Sequence, residues 1–141
     1  TSLFIPFTLL AIAFAPGLHW PTSIPEGAVP VKFIETHASL IANNRIFTAD
    51  QIADYLIFRN YPTQRVFLDS RHNYYGAQIG NDFIAINGGQ RKWQELLDKY
   101  RFNLALVELD EPLNALLRSS PGWHIVQKGD KHILFQRDKS L

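Results

Sequence analysis

The chain has 141 residues with 14 Lys+Arg against 13 Asp+Glu, a formal net charge of +1, and neither Cys nor Met. So balanced a charge gives no long-range field toward nucleic acid, and no Lys/Arg cluster with interleaved aromatics occurs, so no nucleic-acid partner is expected. Without cysteine there are no disulfides, thiolate nucleophiles or cysteine metal sites.

Hydrophobic residues make up 46% and charged residues 19%, which is apolar and charge-poor for a free-standing soluble domain. The length suits one domain burying roughly two-thirds of its surface. The chain starts at Thr1 rather than Met, which points to a processed product or a fragment.

Leu3–Ala15 (LFIPFTLLAIAFA) contains no charge, and Thr8 is its one polar side chain. A complete spanning helix needs about twenty apolar residues, so this run reads as the outer end of a membrane helix, residues 1–18. A signal peptide would need a basic leader and a small-residue cleavage site, and both are missing. Pro16-Gly17 stops the helix, and Trp20 stands where a headgroup-level aromatic anchor would. Residues 19–30 are punctuated by Pro21, Pro25 and Pro30, as in a semi-rigid extended linker. Lys32 is the one basic residue between Thr1 and Arg45, which favours the periplasmic side of a bacterial inner membrane. The bilayer and neighbouring membrane helices are the partners expected for Leu3–Ala15.

Residues 31–138 read as one α/β extramembrane domain. Val31, Ile34, Ala38 and Ile41 recur at helical spacing, with Asn43-Asn44 as a left-handed stop. A short strand follows at Arg45–Phe47, then a helix over Ala49–Arg59, with Thr48 and Asp50 as candidate caps. Tyr61-Pro62-Thr63 breaks the chain. Arg65–Asp69 (RVFLD) is the clearest strand in the sequence, β-branched and aromatic before turning polar. A short helix is expected over Ile79–Ile86 and another over Gln90–Arg101, the latter carrying a Trp93, Leu96, Leu97, Tyr100 stripe. Leu104–Leu109 is a continuous apolar run, as in a strand covered on both faces. Pro112 opens a helix to Arg118. Trp123–Gln127 and His132–Gln136 form a hairpin about Gly129-Asp130. Strands alternating with helices predict a mainly parallel sheet flanked by helices, with the hairpin as an antiparallel addition.

Chemistry-bearing motifs are few. Neither nucleotide-binding glycine pattern occurs, and no cofactor is expected. Gly88-Gly89 before a helix could cradle an anion, but it follows no predicted strand and a plain turn is the favoured reading. The histidines show no H-x-x-H spacing, and His124 with His132 could meet only across the hairpin, so no metal site is expected. Asp69-Ser-Arg71-His-Asn-Tyr74-Tyr75 lies at the carboxyl end of the clearest strand, where open α/β sheets bind ligands. Asp69 and Arg71 could hold a polar ligand with Tyr75 stacking on it. The structural alternative, which is the favoured one, is that Asp69 caps the following loop or pairs with Arg71 while the tyrosines pack against Trp93. Ser70 and His72 do not make a nucleophile–base pair by spacing alone. No catalytic residues are expected in this chain.

The residues from Arg45 to Gly76 (RIFTADQIADYLIFRNYPTQRVFLDSRHNYYG), then Trp93–Tyr100, LALVEL, Glu111-Pro-Leu, Gly122-Trp-His-Ile-Val and a closing ILFQR carry a resemblance. Their order resembles the C-terminal domain of polytopic bacterial membrane proteins described as glycosyltransferase-like, similar to the dolichyl-phosphate-mannose protein mannosyltransferase group. The match covers residues 30–137. Members commonly carry Gly-Gly before the Tyr-Leu-Ile segment, where this chain has Ala53-Asp54. The resemblance implies a non-catalytic domain aiding acceptor or sugar-lipid binding, since the acidic catalytic residue of such transferases lies in an early loop outside this chain. A structural accessory subunit of a larger membrane complex, such as a bioenergetic one, is the alternative.

Overall fold

The structure is a computed structural model that describes residues 29–138. The expected membrane segment 1–18 and nearly all of the linker 19–30 lie outside the described residues. Among these, no helix is long and apolar enough to cross a membrane.

Among the described residues six helices and four strands follow one another: α1 (Val31–Thr36), α2 (Ala38–Ala42), β1 (Ile46–Thr48), α3 (Asp50–Asn60), α4 (Gly76–Asn87), α5 (Trp93–Lys99), β2 (Leu104–Glu108), α6 (Pro112–Ser119), β3 (Trp123–Lys128) and β4 (His132–Arg137), with one 3-10 turn at His72–Tyr74. The sheet order is β1-β2-β4-β3.

The α/β class holds, but the sheet is mixed rather than mainly parallel. Only β1 and β2 run parallel, with Ile46 opposite Leu104; β4 is antiparallel to both β2 and β3. The parallel expectation rested on Arg65–Asp69 being a strand, and that segment forms no ladder. It nevertheless distributes its side chains as a strand would. Val66 packs into the core on one face, Phe67 into the core on the other, and Leu68 is buried. The sequence pattern records two-sided burial, which an extended segment achieves beside a short strand without pairing to it.

Alternation along the strands builds two cores. Ile46, Leu104, Leu106 and Leu134 face α1, α2 and α3, where Ile34, Ile41, Ile52 and Leu56 cover them. Phe47, Ala105, Val107, Ile133 and Phe135 face α4, α5 and α6, covered by Ile86, Leu97, Leu113 and Leu117. Both faces of the central strands are therefore dry, as the LALVEL run predicts. β3 is an edge strand with a register irregularity between Ile125 and Gln127.

Three local expectations change. The helix expected from Val31 to Ile41 is split at His37, where Nδ1 donates to the Phe33 carbonyl at 2.8 Å and the ring lies 4.9 Å from that of Phe33. Asn43 and Asn44 end α2 without a left-handed turn; their amides instead donate to the carbonyls of Ser39 and Leu40. Thr48 does not cap α3, because its hydroxyl donates to the Leu106 carbonyl across the sheet at 2.9 Å. The helices at Gly76–Asn87 and Trp93–Lys99 occupy the expected places with shifted ends.

Candidate functional site

The three residues singled out from the sequence do come together, at the carboxyl end of β1. The loop carrying them runs alongside β1 in the same direction. Its Thr63–Phe67 part lies near Asn44–Ile46, and its Asp69–His72 part reaches the first turns of α3. Asp69 is fully buried, and Arg71 closes on it with Nε 3.1 and 3.0 Å from the two carboxylate oxygens and NH2 2.5 Å from Oδ2. The Arg71 backbone N–H adds a further bond to Oδ1 at 2.9 Å. This is a bidentate fork, the strongest common form of ion pair.

The electrostatics follow from that geometry. Arg71 hydrogen bonding holds the Asp69 carboxyl down at about 2, against the opposing effect of burial. Burial pushes the half-buried Tyr75 hydroxyl up, and the neighbouring Asp69 carboxylate pushes the same way. With both carboxylate oxygens engaged, Asp69 fixes the loop. What faces solvent is the outer edge of Arg71, whose side chain is 64% exposed, beside Tyr75. Tyr74 is exposed rather than packed on Trp93.

Two further anchors were not legible from spacing. Asp54 of α3 accepts the Ser70 N–H at 3.3 Å, and Asp50 accepts from His72 Nε2 at 2.9 Å. The partners are 16 and 22 residues apart, so only the fold joins them. His72 is thereby committed to Asp50, and it makes no hydrogen bond with the Ser70 hydroxyl.

The remaining ionisable clusters are also self-contained. Asp82 accepts from the Tyr100 hydroxyl at 2.6 Å and from Lys99 at 2.8 Å, and Lys99 followed by Tyr100 lowers its carboxyl. At the carboxyl end of β2, Glu111 accepts the Glu108 N–H and the Asn87 amide, and burial raises its carboxyl. His124 and His132 do not meet: His124 sits on Asp138, while the buried His132 lies 3.9 Å from Glu108. Among the described residues, no group of three or more His, Asp or Glu could hold a metal ion. Gly88-Gly89 is not an anion cradle either, because the Gly88, Gly89 and Gln90 N–H groups donate to the Ile84, Ile86 and Ala85 carbonyls. Gly89 adopts φ +61 and packs so closely on α6 that a Cβ would lie 2.3 Å from Leu116 Cδ1.

Two cavities stand out among the described residues. The larger, about 690 Å³, opens at the amino ends of β1 and β2 between Asn43–Ile46, Thr63–Phe67 and Tyr100–Asn103. The smaller, about 550 Å³, lies between α1 and the β3–β4 turn. Comparison with protein-family models, curated proteins and solved structures finds no match to this chain.

Proposed function

We propose that the chain is the non-catalytic, periplasmic end of a glycosyltransferase-like integral membrane protein of the bacterial inner membrane, where it assists binding of an acceptor or sugar-lipid. The observation that carries the non-catalytic part is the closed Asp69–Arg71 fork. A carboxylate held near 2 and wholly occupied by a guanidinium is a poor general base or nucleophile at neutral pH. Membrane attachment is supported by the uncharged Leu3–Ala15 run with Trp20 and the prolines behind it. The transferase connection is supported by the order of the RVFLD, WQELLDKY and ILFQR segments.

The test uses the full-length protein in its own membrane. Arg71→Ala raises the acceptor KM and leaves kcat unchanged; a collapse of kcat at constant KM would overturn the accessory role. Protease added outside spheroplasts removes the domain, and full protection would overturn the periplasmic assignment.

A second reading, a structural subunit of a larger membrane complex, is favoured by one observation. Phe58 near the end of α3 and Tyr61 just beyond it are 78% and 80% exposed, as contact residues for a neighbouring protein would be. Native mass spectrometry from mild detergent separates the readings: stoichiometric partners favour the subunit, and a lone chain excludes it.

A further inference from the structure

We propose that the cavity at the amino ends of β1 and β2 is a binding site for a phosphate ester of monosaccharide size. It lies at the opposite end of these strands from the Asp69–Arg71 fork, and the proposal does not rest on the transferase reading.

The charge distribution makes the first argument. Arg45 and Arg65 both line the cavity, and no Asp or Glu does. Arg45 and Arg65, like Arg91, Arg101 and Arg118, form no ion pair among the described residues, but these two share one recess. Two arginines lining one recess that no carboxylate lines give it a positive potential, and planar forks suit the oxygens of a phosphate.

Rigid placement makes the second. The Arg45 backbone is tied on both sides: its N–H donates to Asn103 Oδ1 at 2.8 Å, and its carbonyl accepts from the Asn103 and Leu104 N–H groups. Arg65 follows the buried Gln64, whose amide donates to the Ile41 carbonyl and accepts from Asn60, both at 3.1 Å. The two arginines therefore project from fixed backbone on separate segments. Asn103 spends its oxygen on Arg45, which leaves its amide hydrogens as further donors.

Shape makes the third. About 690 Å³ falls within the range of roughly 300–1,000 Å³ usual for small-ligand sites. One wall is aromatic: the Phe67 and Tyr100 rings lie 4.5 Å apart, with Phe102 at 5.2 Å from Phe67. The Tyr100 hydroxyl is engaged by Asp82, so the ring is the part of Tyr100 left to meet the apolar face of a sugar.

A phosphate ester could come from a free sugar phosphate or from a lipid headgroup, and calorimetry on the full-length chain in detergent distinguishes them. The probes are glucose 1-phosphate, and dihexanoyl phosphatidylglycerol against dihexanoyl phosphatidylcholine. Saturable binding of glucose 1-phosphate assigns the free source; selective binding of the phosphatidylglycerol assigns the lipid source; either supports the site. Arg45→Ala and Arg65→Ala each weaken binding about tenfold, the double variant abolishes it, and Arg91→Ala leaves it unchanged. Both arginines are exposed, so the variants keep the parent unfolding temperature, and this is measured alongside. Failure of every probe to bind the parent chain, or equal binding by the double variant, would overturn the proposal without touching the accessory role argued from the fork.

Discussion

The Arg71 guanidinium folds back two residues to clamp a carboxylate, that of Asp69, which has no exposure of its own. Buried charge is costly unless paired and hydrogen-bonded, and here the compensation is entirely local. The loop between α3 and α4 is organised around this clamp, with Asp54 and Asp50 holding Ser70 and His72 on either side. The arrangement is strong enough to fix a loop and leaves little of Asp69 for a ligand.

Asp69→Asn keeps the size and removes the charge, weakening every bond to Arg71. The expected loss is about 1–3 kcal/mol of unfolding free energy, read from urea denaturation. Arg71→Ala is at least as damaging, because it strands a buried carboxylate. Equal stability of both variants with the parent would show that the clamp contributes nothing.

The same pair dictates an acid response. The folded carboxyl titrates near 2 against an unfolded value of 3.8, so the unfolded chain binds the proton more readily. Stability from Asp69 is therefore complete above about pH 4 and lost as pH falls from 3.8 toward 2. The full shift corresponds to about 2 kcal/mol, reduced toward about 1 kcal/mol by screening at the exposed Arg71. Asp69→Asn flattens this part of a pH–stability curve measured by urea midpoints.

Much of this architecture is legible in the sequence, because local pattern and final burial agree. Leu104–Val107 is dry on both faces, Pro112 opens α6, and the hairpin turns through Gly129-Asp130, with the Gly129 N–H donating to the His132 carbonyl. Asp69, Arg71 and Tyr75 are adjacent in sequence and hence in space. Arg65–Asp69 misleads because periodicity reports burial and not hydrogen bonding, and its alternating Val66 and Phe67 serve two cores without a ladder. The mixed sheet is hidden for a related reason. β4 reads like any apolar strand, and nothing local says that it inserts between β2 and β3. The Arg45–Arg65 cavity lies beyond sequence reading altogether, since its walls come from three segments far apart in the chain.

Phe47 shows how much one residue of a three-residue strand can carry. Its ring lies 5.4 Å from Phe83, 5.5 Å from Phe102 and 6.2 Å from Phe67, joining α4, the start of β2 and the unpaired loop. Phe47→Ala leaves a cavity at this junction and is expected to cost about 3–5 kcal/mol. Phe47→Leu, which refills much of the volume, recovers part of it. A loss below about 1 kcal/mol for Phe47→Ala would mean that this junction is not packed as described.

Gly89 is constrained twice, by φ +61 and by Leu116 against its α-carbon. Gly89→Ala is expected to destabilise by about 1–2 kcal/mol. Gly122 also has positive φ, at +86, but has open space around it. Gly122→Ala therefore incurs the backbone penalty alone, about 1 kcal/mol. Gly89→Ala/Leu116→Ala recovers the steric part of the Gly89→Ala loss, and the difference between the variants isolates packing from conformation.

Glu111 and His132 flank the carboxyl end of β2 and shift with opposite consequences. Burial lowers the His132 imidazole below 6.5, so the unfolded chain protonates first and stability falls as pH drops through 6.5. Burial raises the Glu111 carboxyl above 4.5, so the folded chain holds its proton longer and this contribution declines as pH rises from 4.5. The parent curve near pH 5 to 7 is the sum of these two slopes, and single variants separate them. His132→Gln removes the loss near 6.5 and leaves a curve that declines with rising pH. Glu111→Gln removes that decline while keeping an acceptor for the Glu108 N–H, which Glu111 now holds at 3.0 Å. Glu111 also accepts from Asn87 Nδ2 at 3.2 Å, and the new amide nitrogen replaces that bond once the Asn87 amide turns its Oδ1, now buried without a hydrogen-bond partner, toward it. Glu111→Gln should then match or exceed the parent at about pH 7, whereas Glu111→Ala, which offers neither group, loses about 1–2 kcal/mol. Urea midpoints across this range decide the matter: a Glu111→Gln variant that is weaker than the parent at neutral pH would show that the carboxylate charge itself stabilises the turn into α6.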